Sequence, residues 1–175
     1  MRLQNQRGQI LVETMVALAM VVIGLLGFLS LLSYSIGLNK VVADQYVASY
    51  LASEGIEVIK NIEDNNVAQN LVSQEAYNAY LSAGDYEVSY DTQPPDVTLE
   101  PVSDVNFLRN LRFDSIAKRY SYDATKDSTP FTRQIKISYP TSEDEMVVQS
   151  IVRWTTRGGI RSVVTLEDHF YNWRQ

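Results

Sequence analysis

Residues 14–39 form a run of 26 positions without an Asp, Glu, Lys or Arg: TMVALAMVVIGLLGFLSLLSYSIGLN. No other feature restricts the fold of this chain as strongly. As an α-helix the run would rise about 39 Å at 1.5 Å per residue, more than the roughly 30 Å of a bilayer's hydrocarbon core. No proline precedes Pro94, so no ring forces a kink. Gly24, Gly27 and Gly37 lower helix propensity locally, a weakness that is tolerated in lipid. Arg2 and Arg7 precede the run and no acidic residue stands before Glu13, whereas Lys40 on the far side is soon offset by Asp44. The positive-inside rule then predicts a single-pass protein of the cytoplasmic membrane, with its N-terminus in the cytoplasm and the remaining chain outside. A cleaved secretory signal is the competing reading, since small residues Ser33 and Ser35 flank Tyr34. The apolar region of such a signal spans about 7–15 residues, and this run is too long.

Composition narrows the function. The 175 residues have ordinary globular proportions, 45% hydrophobic and 21% charged, which suits one domain beyond the apolar run. With no cysteine there is no disulfide, thiol nucleophile, iron–sulfur cluster or cysteine zinc site. His169 is the single histidine, which argues against a histidine-based triad and a multi-histidine metal site. The formal net charge of −6 disfavours nucleic-acid binding. The expectation is a non-enzymatic protein with no cofactor.

Glu13 is the residue out of place. Ile10, Leu11 and Val12 precede it and Thr14, Met15, Val16, Ala17 and Leu18 follow. A carboxylate at the bilayer centre costs roughly 2.5–3.5 kcal/mol on insertion scales, less near an interface, and normally has a partner. Taken alone, Glu13 marks the membrane edge as readily as a buried pair. It is not alone: Arg7 and Gly8 stand directly before Gln9, and Glu13 is the fifth residue counted from Gln9. In this stretch, RGQILVETMVALAMVVIGLLGFLSLL, the chain resembles the class III signal of type IV pilins and pseudopilins. The resemblance implies cleavage after Gly8 by a membrane-embedded prepilin peptidase, N-methylation of the new terminus at Gln9, and entry of the helix into a filament. There Glu13 would neutralise the terminal amine of a neighbouring subunit. Physical chemistry is consistent with this: ammonium and carboxylate are each costly in lipid and cost far less as a pair, which then sets register. Gln9 departs from the Phe usual at the first mature position, which bears on methylation more than on cleavage.

Beyond the run, residues 41–62 (VVADQYVASYLASEGIEVIKNI) carry an apolar stripe of Val47, Leu51, Val58 and Ile62 at helical spacing, widened by Tyr50. The amphipathic pattern predicts that the helix continues and that this stripe is covered by a sheet. Glu63-Asp64-Asn65-Asn66 then predicts the helix end. Residues 67–81 read as a shorter second helix stopped by Gly84, and residues 85–91 (DYEVSYD) as a strand with Tyr86, Val88 and Tyr90 on one face, ended by Pro94-Pro95. Residues 96–130 show little pattern. Phe107, Leu108, Leu111, Phe113 and Ile116 should be partly buried, and residues 123–130 form a polar loop. The last 45 residues are clearer. Strands are predicted over 133–139, 146–154 and 160–166, joined by an acidic turn at 140–145 and a hairpin turn at Arg157-Gly158-Gly159. The whole is an α+β, type IV pilin-like fold, one long N-terminal helix packed on a small antiparallel sheet.

The C-terminal order of Trp154, Gly158-Gly159, Arg161-Ser162-Val163-Val164 and Asn172-Trp173-Arg174 resembles PilV-type minor pilins and the minor pseudopilins of type II secretion. Packing alone would also use Trp154 and Trp173. The expected organisation is a leader at 1–8, an apolar assembly helix at 9–39, its amphipathic continuation at 40–62, and an α+β headgroup at 63–175. Removing residues 1–8 takes away two of the 15 basic side chains and none of the 21 acidic ones, so the net charge moves from −6 to −8. Such charge in a packed filament suits a low-copy subunit. The resemblance thus implies a minor subunit of a type IV pilus, or alternatively of a type II secretion pseudopilus. Its partners would be prepilin peptidase, other pilin-like subunits and the inner-membrane assembly machinery, with the finished filament extracytoplasmic or at the cell surface. A single-pass anchored binding domain is the rival from another class.

Other polar groupings are discounted. Glu143-Asp144-Glu145 are consecutive in a turn and lack the spacing of a calcium loop. Neighbours in a strand point to opposite faces, so Glu167-Asp168-His169 should not converge, and His169 should be a lone surface or edge histidine. The eleven tyrosines suit membrane-interface and core positions as well as ligand binding.

Overall fold

A computed structural model describes residues 6–68, 80–92, 99–102, 104, 108–140, 145–156 and 159–171. The expected second helix falls mostly on residues outside these. So do Pro94-Pro95, Phe107, Glu143 and Asp144, Gly158, Asn172-Trp173-Arg174 and residues 1–5 of the leader. The chain divides into two compact units, Met1–Ala43 and Asp44–Gln175. Helix α1, Gln6–Ala68, contributes residues to both.

The second unit is α+β, as expected. Among the described residues it has seven strands: β1 Gly84–Glu87, β2 Glu100–Pro101, β3 Asn110–Asp114, β4 Arg119–Ser121, β5 Asp127–Ser138, β6 Glu145–Thr155 and β7 Arg161–Tyr171. All pairings are antiparallel. β5 is the central strand. One of its edges takes β1 and β3, which carry β2 and β4 in turn, and the other takes β6, followed by β7. The β5–β6–β7 meander is the part that the C-terminal alternation predicts, although β5 begins at Asp127 and β7 runs to Tyr171. The expected polar loop at 123–130 is therefore half strand. Thr129 explains part of this: its hydroxyl donates to the Leu111 carbonyl of β3 at 2.5 Å and fastens a polar segment into the sheet.

The C-terminal part of α1 supplies the cover that its stripe requires. Val58, Ile59 and Ile62 pack with Ile135, Ile137, Met146 and Val148. Ala48, Leu51 and Ala52 pack with Leu111, Phe131, Val152 and Trp154. Two expectations for this helix are corrected. Tyr50 does not widen the stripe, being 74% exposed; buried Ala48, Ala52 and Ile59 do, the two alanines being small enough to let the helix come close to the sheet. The helix also does not stop at Glu63–Asn66 but continues to Ala68. Asp64 is exposed there and Asn66 is buried, so the polar run is a further turn of helix with one polar residue turned inward.

Gly55 marks the closest approach. A Cβ at this position would lie 2.5 Å from Ser150 Oγ, 2.7 Å from Ile135 Cδ1 and 3.2 Å from Arg133 Cδ. Beside it the fully buried Arg133 stands on the helix-facing side of β5, in step with Phe131, Ile135 and Ile137. Its guanidinium donates to the Leu51 carbonyl of α1 at 3.0 Å and to the Val88 carbonyl at 2.6 Å, and lies 3.6 Å from Glu54. Bonds to two backbone carbonyls offset part of the cost of burying this charge, although its Nε has no hydrogen-bond partner among the described residues.

The middle of the chain departs most from the sequence pattern. The strand expected over 85–91 ends at Glu87, and a turn follows in which the Thr92 amide donates to the Ser89 carbonyl. Tyr90 leaves the strand there. Leu111 is buried and Leu108 and Phe113 are half-buried, as expected, but Ile116 is 91% exposed. It sits at the β3–β4 turn, where the Asp114 carboxylate accepts from the amides of Ile116 and Ala117 and so fixes the backbone without any apolar contact.

Candidate functional site

The residues that the sequence singles out lie in the first unit. Gly8, Gln9 and Glu13 are all helical and all exposed. Gln9 and Glu13 are four residues apart, about 6 Å of rise. Thr14 returns its hydroxyl to the Leu11 carbonyl at 2.9 Å, the usual way for a threonine to be accommodated in a helix. Among the described residues the Glu13 carboxylate has no hydrogen bond and no ion pair. The structure thus places Gln9 and Glu13 on one helix a turn apart.

Around Glu13 the surface is apolar on every side. From Ile10 to Val42 each large aliphatic or aromatic side chain on α1 is exposed, by 44% to 70%. This is not an amphipathic helix with one face to bury. Its apolar segment is long enough to cross a membrane, and none of it is buried within the chain. Among the described residues nothing lies within 4 Å of where a Cβ would stand on Gly8, Gly24, Gly27 or Gly37, so no contact there requires a glycine.

The second unit holds two polar constellations that periodicity does not reveal. The first is an open cleft of about 570 Å³ lined by Glu87, Tyr90, Arg109, Arg119, Tyr122 and Lys126, among others. Its charges are largely paired with one another. Buried Glu87 accepts from the Arg109 amide and Nε at 2.5 Å each. The Arg109 guanidinium also stacks 4.6 Å above the Tyr122 ring, and Arg119 stacks at the same distance above Tyr90. Lys126 lies 2.8 Å from Asp114, whose carboxyl it holds down at about 2, helped by the Ala117 and Ile116 amides. Burial pushes the Tyr122 hydroxyl up to about 12. These pairs tie the 87–92 turn to the β3–β4 hairpin.

The second lies on one face of the β6–β7 hairpin. His169 Nδ1 is 2.8 Å from Glu145 and Nε2 is 3.3 Å from Glu167. Tyr171 stacks on the imidazole and donates its hydroxyl to Glu145 at 3.0 Å. His169 is therefore on the surface of an outer strand, as expected, but it is not alone. The adjacent Asp168 does point away; the partners are Glu167 two residues back and Glu145 across the ladder, a convergence that only the β6–β7 register discloses. The bonds to Glu145 and then to Glu167 raise the pKa of His169 above its usual value. Among the described residues no group of three or more His, Asp or Glu is arranged to hold a metal ion.

Comparison of the chain with protein-family models, with curated proteins and with solved structures finds no match in any of the three.

Proposed function

We propose that the chain is a minor, pilin-like subunit of a type IV pilus, anchored by α1 and processed by prepilin peptidase between Gly8 and Gln9. In this reading Arg2 and Arg7 keep the N-terminus in the cytoplasm, the sheet unit lies outside, and Glu13 receives the amine of a neighbouring subunit's Gln9. The observation that carries the proposal is Glu13, a carboxylate inside an apolar surface with no partner in its own chain among the described residues. A charge in an apolar surrounding with no partner among the described residues calls for one from a neighbouring chain. Gly8 supports the same reading, because it stands in a helix where no contact requires a missing Cβ, and an enzyme that must reach the peptide bond does require it. A pseudopilus of type II secretion would use the same residues in the same way.

The test is the mass and N-terminal sequence of protein extracted from membranes of a host with a prepilin peptidase. Wild type should begin at Gln9, and Gly8→Val should retain residues 1–8. A wild-type chain that keeps its leader, or is cut near Ser35, would leave the anchored-domain reading as the better one.

A further inference from the structure

The two ends of the sheet differ in charge, and core packing fixes which end is which. Ala48, Leu51 and Ala52 of α1 pack with Phe131 and Trp154, whereas Val58, Ile59 and Ile62 pack with Ile135, Ile137 and Met146. Within the second unit β5 therefore runs the same way as α1, and β6 the opposite way. The start of β5 and the close of β6 lie at the end where α1 enters the unit, at Asp44. The β3–β4 turn, residues 115–118, is at this end, since Phe113 pairs with Asp127 and Tyr120 borders the Ala48 cluster. So is the connection from β6 to β7, where Thr155 pairs with Arg161. In sequence these segments read SIAKR (115–119) and TRGGIR (156–161), four cations and no acid. The segment that joins β5 to β6 at the opposite end, PTSEDE (140–145), has three acids and no cation.

Each segment at the entry end also carries an isoleucine in water. Ile116 is 91% exposed and Ile160 68%. Ile116 is held there by its turn. Asp114 accepts from the Ile116 and Ala117 amides, the Lys118 amide donates to the Asp114 carbonyl at 2.8 Å, and Lys118 takes a left-handed φ of 55°. The β3–β4 tip also projects further. From the row that Asn110, Thr132, Arg153 and Val163 share, Ile116 lies six positions on and Ile160 three. Acidic groups stand at this end too: Asp44 on α1, Asp114, which Lys126 pairs at 2.8 Å, and Asp127, which lies opposite Phe113 and so behind the tip.

We propose that this end of the second unit docks on the anionic surface of the membrane that α1 crosses. Ile116 leads into the boundary between headgroups and acyl chains, Ile160 sits beside it, and Lys118 and Arg161 face lipid phosphates. Proximity makes lipid the occupant: Asn39, the last residue of the uncharged run, is five positions before Asp44, about 8 Å of helix. Apolar tips flanked by cations are the chemistry that an anionic interface takes up, and the acidic opposite end would be repelled from it. The inference rests on anchoring by α1 and not on the filament reading.

The natural absence of cysteine lets a single label report depth. Ser115 is exposed and adjoins Ile116, which stays intact. Full-length Ser115→Cys carrying a fluorophore is placed in nanodiscs of mixed phosphatidylglycerol and phosphatidylcholine. Lipids with a nitroxide near the headgroup should quench it at least threefold more than the same label at exposed Tyr171→Cys, at the opposite end. Discs of phosphatidylcholine alone should at least halve the quenching at residue 115. Lys118→Glu with Arg161→Glu should do the same in the anionic discs, and Ile116→Ser should reduce it in both. A label at Leu26→Cys should be quenched in every disc by lipids with the nitroxide deep in the chain; if it is not, anchoring itself fails and the proposal with it. With Leu26 quenched, equal quenching at residues 115 and 171, or quenching at 115 that ignores anionic lipid and charge reversal, would overturn the docking alone.

Discussion

Gly55 and Gly24 lie in the same helix for different reasons. A Cβ on Gly55 would strike Ser150, Ile135 and Arg133, whereas a Cβ on Gly24 would meet nothing. The contrast extends to the residues around them. Past Asp44 the apolar side chains of α1 that face the sheet are buried at helical spacing, while exposed Tyr50 and Lys60 face water. Before it, apolar side chains are exposed all round. One region is explained by the rest of its own chain. The other has no such explanation among the described residues; in the proposed reading lipid and neighbouring subunits supply it, and Glu13 is the residue that those neighbours would have to satisfy.

The largest test of this contrast removes one region. Without residues 1–39 the chain should lose membrane association entirely and remain folded and water-soluble, with the sheet's far-ultraviolet dichroism and a cooperative thermal transition. An aggregated product without such a transition would mean that the first region also supports the fold.

Within that soluble piece the second region should be sensitive to single atoms. Leu51→Ala should cost roughly 2–5 kcal/mol by chemical denaturation, as buried leucines do. Gly55→Ala should cost roughly 1–3 kcal/mol, because the methyl group overfills a packed contact. In the full chain in detergent Gly24→Ala should leave the unfolding transition of the sheet unit in place. Equal sensitivity at Gly24 and Gly55 would erase the distinction between the two regions.

How much of this is legible in the sequence depends on what each residue answers to. The uncharged run, the stripe of Leu51, Val58 and Ile62, and the alternation of Ile135 and Ile137 are legible because a single period governs burial in a helix or strand. Arg133 breaks that rule. It occupies an inward position with a charge, which the helix carbonyl of Leu51, the turn carbonyl of Val88 and the nearby Glu54 carboxylate make tolerable. The 96–130 segment is obscure for a related reason: β3, β4 and the start of β5 are held by Asp114, Thr129 and Lys126, polar side chains whose bonds leave no periodic trace. The His169 cluster depends on cross-strand register in the same way. At the candidate site Gly8, Gln9 and Glu13 are visible by spacing, and their placement adds that Glu13 lacks a partner within the chain among the described residues.

The smallest expected effect concerns that histidine. Its folded-state pKa is raised, chiefly by Glu145 and then by Glu167, so the protonated form is favoured by folding. The stabilisation is fully present below the unfolded value near 6.5 and is lost as pH rises through the folded value. The denaturation midpoint of wild type should therefore exceed that of His169→Gln near pH 5.5, and the gap should narrow by pH 9. The change should be slight because the cluster is exposed and screened by salt. A gap that widens with pH would reverse the assignment.

The central claim is that Glu13 acts between chains. Glu13→Ala should still insert in the membrane, since a charge is removed from lipid, and should still be cut after Gly8. Its recovery with sheared pili, or with a secretion filament, should fall sharply against a membrane-fraction control, because a neighbour's ammonium is left unpaired at roughly 3–5 kcal/mol. Glu13→Gln should recover only in part. The deciding measurement is the ratio of filament-bound to membrane-bound protein for Glu13→Ala and wild type in the same host. The account predicts a large drop in that ratio; an equal ratio, or a wild-type chain never found with any filament, would contradict it.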